Sequence, residues 1–223
     1  MENPEQKKSP EYKPSPDNHV PNPEMVEFFE TEVYPVLSQL FEHRYPIAEV
    51  QQRYNQLATQ ITNRFHRPEL PVKLSDVESK DNAGNNLLPM GCDFKDGQPS
   101  ISLFVPTLKK IFDMEKAMNP EKHKERYEDS IVVGYLHELD HLAGGFIGTI
   151  DENLQTTIDH ECLTWAETCE HTIKFFVETG REVNQSDLSF YNTWKKCGRN
   201  PYSKRWRDFM SNMYGGLKRN KGK

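Results

Sequence analysis

The sequence predicts an α+β domain, mainly helical, with a small β-sheet placed ahead of one central helix. Three observations predict it. Beyond Pro106 the apolar residues recur at helical spacing almost to the end of the chain. Between residues 71 and 105 they alternate instead, as strands do. Turn-forming clusters, Lys80-Asp-Asn-Ala-Gly-Asn-Asn86 and Lys95-Asp-Gly-Gln-Pro99, separate the alternating runs.

In chain order, residues 1–23 hold six prolines and almost no aliphatic side chains, so they read as a disordered proline-rich arm. Glu24 to His43 carries Val26, Phe29, Val33, Leu37 and Phe41 at near-helical spacing, and Pro35 must kink or split that helix. Ile47 to Phe65 repeats the pattern through Val50, Tyr54, Leu57, Ile61 and Phe65. Pro71 to Val77 reads as a strand; Leu87 to Phe94 and Ser100 to Val105 read as the arms of a hairpin. Helices are expected over 107–118, 122–143, about 153–179, 186–197 and 203–214. A single domain then spans 24–216, and 217–223 form a basic tail.

Composition narrows the class. With 35% hydrophobic, 28% charged and 11% aromatic residues in 223, the chain is built to fold once the arm is set aside. No apolar run approaches the roughly 20 residues that span a bilayer. The opening MENPEQKKSPEYK lacks the apolar stretch of a secretory signal. Four cysteines are too few for a disulfide scaffold, and a reduced, cytoplasmic protein is the expectation. The net charge of −6 is uneven: Lys195 to Lys223 hold ten Lys and Arg against Asp208 alone. The acidic bulk argues against a general nucleic-acid binder, while the basic end leaves room for an anionic partner.

One segment carries chemistry: Ile131-Val-Val-Gly-Tyr-Leu-His-Glu-Leu-Asp-His-Leu-Ala-Gly-Gly145, with His137 and His141 flanking Glu138. On a helix, positions four apart lie about 40° apart around the axis, so both imidazoles reach one metal ion. Glu138 flanks that ion rather than binding it, where a base acting on water belongs. Val132, Leu136, Leu139 and Ala143 form an apolar stripe that buries the other face. Asp129 or Ser130 can cap the start, and Gly144-Gly145 can end the helix.

The stretch resembles the active-site helix of zincin metallopeptidases, whose histidines bind zinc and whose glutamate is the general base. That resemblance implies a Zn2+-dependent hydrolase cleaving amide bonds of a peptide or protein substrate. Ser100 to Val105 is similar to the edge strand along which zincins align an extended substrate. A catalytic zinc usually takes a third protein ligand. Ile147 stands where the metzincin type has its third histidine. Glu161 follows His141 after 19 intervening residues, as in the gluzincin type. Helical phase supports Glu161 separately. Ile158, Cys162, Trp165, Cys169, Ile173 and Phe176 define one buried stripe, and Glu161 lies at its edge, whereas His160, Glu167 and His171 point to the far side. Trp165 departs from the thermolysin pattern, which has an aspartate there, so the carboxylate that orients a zinc histidine is left unassigned.

Alternatives stay open. His137 to Gly144 also resembles the metal-binding segment of peptide deformylases, which take a cysteine as third ligand, and Gly91-Cys92 lies upstream as in that family. Asp151 resembles the aspartate ligand of aspzincins. Asp140 reads as a solvated or supporting residue, and His171, Tyr135, Tyr191 and Tyr202 are candidates for stabilising an oxyanion. A reading from another class is an inactive zincin-like binding protein. In it Lys195, Lys196, Arg199, Lys204, Arg205 and Arg207, interleaved with Tyr202, Trp206 and Tyr214, grip an anion such as single-stranded nucleic acid.

The arm carries the first test. Residues 1–23 bury too little apolar surface to offset ordering. Limited proteolysis should remove them while the melting temperature falls by no more than about 2 °C. A protected arm would show that it docks.

Overall fold

In the computed structural model, residues 22–43, 72–79, 89–95, 98–144, 154–180 and 189–215 are described. The first helical stretch is shaped by its cap and by one proline. Asn22 accepts the backbone N–H of Glu24 at 3.0 Å, and Pro23 occupies the first turn of α1, Pro23–Phe28, where its missing N–H costs nothing. Pro35 lacks a donor and its ring crowds the carbonyl four residues back. The chain answers by widening into a π-helical turn, Phe29–Val33, in which the Tyr34 N–H reaches the Phe29 carbonyl. The helix then continues as α2, Tyr34–His43. The expected kink is thus a π turn rather than a break. The helix expected over 47–65, the arm to residue 21 and the tail lie outside the described residues.

Three strands follow: β1 Val72–Ser75, β2 Met90–Lys95 and β3 Gln98–Phe104. β2 and β3 form the expected hairpin, antiparallel from Met90↔Leu103 to Lys95↔Gln98. That register leaves only Asp96 and Gly97 between the paired ends, the dipeptide a two-residue hairpin favours. β1 runs parallel to β3, Val72 opposite Ile101, so the order is β1-β3-β2. β3 is therefore the central strand, with Ile101 and Leu103 fully buried. The expectation that Ser100 to Val105 forms an edge strand is corrected: among the described residues the edges are β1 and β2. Val105 already belongs to the next helix.

Four of the expected helices return with small shifts at their ends, and of the one expected over 186–197 the described part is helical from Ser189 to Lys196. They are α3 Val105–Met118, α4 His123–Gly144, α5 Leu154–Glu178, α6 Ser189–Lys196 and α7 Lys204–Gly215. Asp129 and Ser130 do not cap α4, which starts at His123; Ser130 bonds back to the Arg126 carbonyl in mid-helix. α4 lies at the centre, packed on α2, α3, α5, β2 and β3. Its predicted stripe of Val132, Leu136, Leu139 and Ala143 is buried, joined by Tyr127, Ile131, Tyr135 and Leu142. These residues form one core cluster with Leu37 and Leu40 of α2, Ile101 and Leu103 of β3, and Phe175 and Phe176 of α5. A second cluster joins Ile158, Cys162, Ala166 and Cys169 of α5 to Trp194 of α6 and to Trp206 and Met210 of α7. α5 thus contributes to both clusters. Among the described residues no helix is long and apolar enough to cross a membrane.

Gly134 lies where β2 packs on α4 through Met90. A Cβ added there would lie 3.5 Å from the Met90 sulfur, ordinary contact with no room beyond it. Gly134→Ala should raise stability by up to about 1 kcal/mol through helix propensity. Gly134→Leu should lower it by about 1–3 kcal/mol through overpacking. Urea unfolding of the two variants checks the pair.

Candidate metal centre

α4 and α5 meet across a polar seam. From α5, Glu161, Thr164, Thr168 and His171 recur at spacings of three and four, one face of a helix, and continue into the buried Phe175. From α4 come His137, Asp140 and His141, with Asp140 wholly inaccessible and His137 nearly so. His137 Nε2 and His141 Nε2 stand 3.0 Å apart. Glu161 faces both, with Oε2 at 3.5 Å from His137 Nε2 and Oε1 at 3.4 Å from His141 Nε2. One ligand atom from each of the three lies within 4.8 Å of the others, and the group could hold a metal ion. Two imidazole nitrogens and a carboxylate oxygen are donors of the kind that bind divalent transition metals.

The outer ring nitrogens are held as well. Thr164 Oγ1 lies 3.4 Å from His141 Nδ1, and Thr168 Oγ1 lies 3.4 Å from His137 Nδ1. The Thr168 hydroxyl donates to Asp140 Oδ2 at 2.9 Å, with the Thr164 carbonyl at the same distance. His171 Nδ1 bonds the other Asp140 oxygen at 2.9 Å. Asp140 therefore sits behind His137 through one hydroxyl, an arrangement that orients an imidazole and keeps its Nε2 turned inward. Of the two roles expected for Asp140, solvated or supporting, the structure gives the supporting one. One expectation is corrected: His171 points into the seam rather than away. Ile158, Cys162 and Cys169 of the apolar stripe pack on α6 and α7, while the polar face that meets α4 is the threonine–histidine one.

Burial sets the charges. Desolvation, then the neighbouring His141, push the His137 imidazole down to about 3, so it is neutral at pH 7. Burial also opposes charge on His141, but the hydrogen bond and charge of Glu161 outweigh it and raise its pKa. For Glu161 burial is likewise outweighed, by the His141 hydrogen bond and both imidazoles, and its carboxyl is held below the usual range. Glu138 lies beside the trio and its pKa is raised, chiefly by burial.

Cys92 of β2 does not join the metal-ligating group among the described residues. Its thiol pairs with Glu138 instead; burial and then Glu138 push it far above the usual thiol range, so it remains an S–H donor. Asp151 lies outside the described residues. Tyr135 is wholly buried in the first core cluster, Tyr191 packs against both clusters, and Tyr202 is 80% exposed. Trp165 stacks on the His137 ring, centroids 4.0 Å apart at 24°, and its indole N–H donates to Tyr214 at 2.9 Å. Tyr214 in turn donates to Glu161 Oε2 at 2.7 Å. Sequence reasoning missed Thr164, Thr168 and Tyr214 as parts of the site. The three-and-four spacing on α5 could have shown the threonines; nothing local marks Tyr214.

At the basic end, Arg199 pairs with Glu170, Lys204 with Asp208 and Arg207 with Asp159, so part of that charge is neutralised within the fold. Comparison of the chain with protein-family models, curated proteins and solved structures gives no match. The fold and the site together define an α+β protein whose two longest described helices bring His137, His141 and Glu161 into a group able to hold a metal ion.

The seam carries a test of its own. Thr168→Val keeps the shape but strips the hydroxyl from Asp140, leaving a buried carboxyl oxygen short of a donor. Stability should fall by about 1–3 kcal/mol, read from urea unfolding of the metal-free protein.

Proposed function

We propose that the protein is a zinc-dependent hydrolase, a metallopeptidase of gluzincin type acting on amide bonds of a peptide or protein substrate. The observation that carries this reading is the convergence of two imidazole nitrogens and a carboxylate, with Glu138 beside them but outside the group. Zinc held by His137, His141 and Glu161 would supply Lewis acidity, lowering the pKa of a bound water to roughly 7 and polarising a carbonyl oxygen.

Glu138 takes the proton from the attacking water and passes it to the leaving nitrogen. Burial favours its protonated form, which suits a carboxylate that must pick up and release a proton near neutral pH. The Cys92 thiol holds the Glu138 carboxyl from the β2 side. Among the described residues β2 has a ladder partner on one side only. An extended substrate would add along that edge, next to Glu138, rather than along β3. Thr168 and Asp140 would keep His137 oriented for binding the ion. A reducing, cytoplasmic setting belongs to the proposal, and all four cysteines are free.

Zinc by elemental analysis after dialysis against a weak chelator tests the ligand set. Glu161→Ala should strip zinc nearly as effectively as His141→Ala, while Cys92→Ala, Asp151→Ala and Glu167→Ala retain it. Full retention in Glu161→Ala with loss in Cys92→Ala would replace this reading by a deformylase-like one. Retention in both with loss in Asp151→Ala would favour the aspartate. Glu138→Gln should keep about one equivalent of zinc while peptide hydrolysis falls at least on the order of 10²-fold. Loss of the metal along with the activity would show that Glu138 is a ligand.

A further inference from the structure

We propose that Tyr214, on the last described helix, is a positioning residue of the metal centre that fixes the Glu161 carboxylate for coordination. The proposal rests on the metal reading above and extends it to a part of the chain 53 residues away from the ligand.

The direction of each hydrogen bond is settled by chemistry. An indole N–H can only donate, so the phenol oxygen of Tyr214 accepts from Trp165 at 2.9 Å. Its single hydrogen is then free to go to Glu161 Oε2, 2.7 Å away. A phenol is protonated at pH 7, so the hydroxyl has that hydrogen to give. Trp165 is itself fixed, stacked on one side against His137 and on the other against Phe190 at 3.8 Å. The Tyr214–Trp165 pair thus holds Glu161 by a hydrogen bond and His137 by ring contact, two of the three ligands.

α7 seats the tyrosine on α5. Trp206, Met210 and Tyr214 recur every four residues on one face. Trp206 is fully buried and donates to the carbonyl of Cys162, the residue after Glu161, at 2.8 Å. A carboxylate on a flexible glutamate loses rotamer freedom when it coordinates. One already fixed by a buried donor loses less, and its affinity for the ion is higher.

The test is zinc affinity of the full chain by competition with a chromophoric chelator, together with the visible spectrum of the Co2+-loaded protein. Tyr214→Phe keeps the ring and removes only the hydroxyl. It should bind zinc about 10- to 100-fold more weakly than the wild type and shift the Co2+ absorption bands. Affinity within twofold of wild type, with an unchanged Co2+ spectrum, would overturn the proposal. Should Tyr214→Phe fail to fold by circular dichroism, Trp165→Phe decides. It keeps an aromatic ring on His137 but frees the Tyr214 hydroxyl from its anchor; weakened binding supports the proposal and unchanged binding overturns it. His141→Ala marks the loss of the site. A wild-type chain that takes up no zinc would refute the metal reading itself, a result distinct from equal affinities in wild type and variant.

Discussion

The rest of the structure depends on a polar seam buried between α4 and α5. Polar groups taken from water destabilise a fold by kcal/mol each unless they are paired. Here Asp140 is completely buried, and its two oxygens are met by Thr168 and His171. Glu161 is met by Tyr214 and by both histidines. The bonds that cross from α4 to α5 need the two helices in one relative register, since a shift by one residue position would turn a partner away by about 100°. The apolar clusters on either side supply the burial that drives folding, and they would tolerate several registers. The seam selects one.

That selection explains how charge is shared within the trio. Two imidazoles 3.0 Å apart cannot both be protonated without strong repulsion, and desolvation decides which one yields. His137, the more deeply buried, is the neutral one; His141 shares the Glu161 carboxylate more closely and is the better able to hold a proton. A neutral imidazole with its Nε2 turned inward is the form in which histidine binds a metal, so the seam holds His137 in a form able to accept one.

The parts of this arrangement that were legible in the sequence are those encoded locally. His137, Glu138 and His141 share one helix turn and announce themselves. Glu161 could be reached by spacing and phase, because it lies on an equally regular helix. The phase argument nonetheless misjudged which face of α5 meets α4. It followed the apolar stripe, of which Ile158, Cys162 and Cys169 pack on α6 and α7 instead. A face of threonines, a glutamate and a histidine does not read as buried until its partner face is known. The order of the strands, with β3 in the middle, depends on non-local pairing between β1 and β3 that no periodicity records. Tyr214 belongs to the same class, an ordinary aromatic on a short amphipathic helix that acquires its role only through tertiary contact.

Trp165 shows how the two kinds of information combine. The thermolysin pattern that the motif resembles places a carboxylate four residues after the third ligand, and the absence of one there reads, in sequence, as a gap in the site. In the structure the same position stacks an indole on His137 and tethers Tyr214, and through it Glu161. The carboxylate behind the histidine comes from within the motif, as Asp140, and reaches His137 through the Thr168 hydroxyl. An aspartate in place of Trp165 would lose the tether, the stack and the contact with Phe190 at once. With an indole in the position next to His137, the carboxylate that reaches its ring comes from its own helix, as Asp140 through the Thr168 hydroxyl.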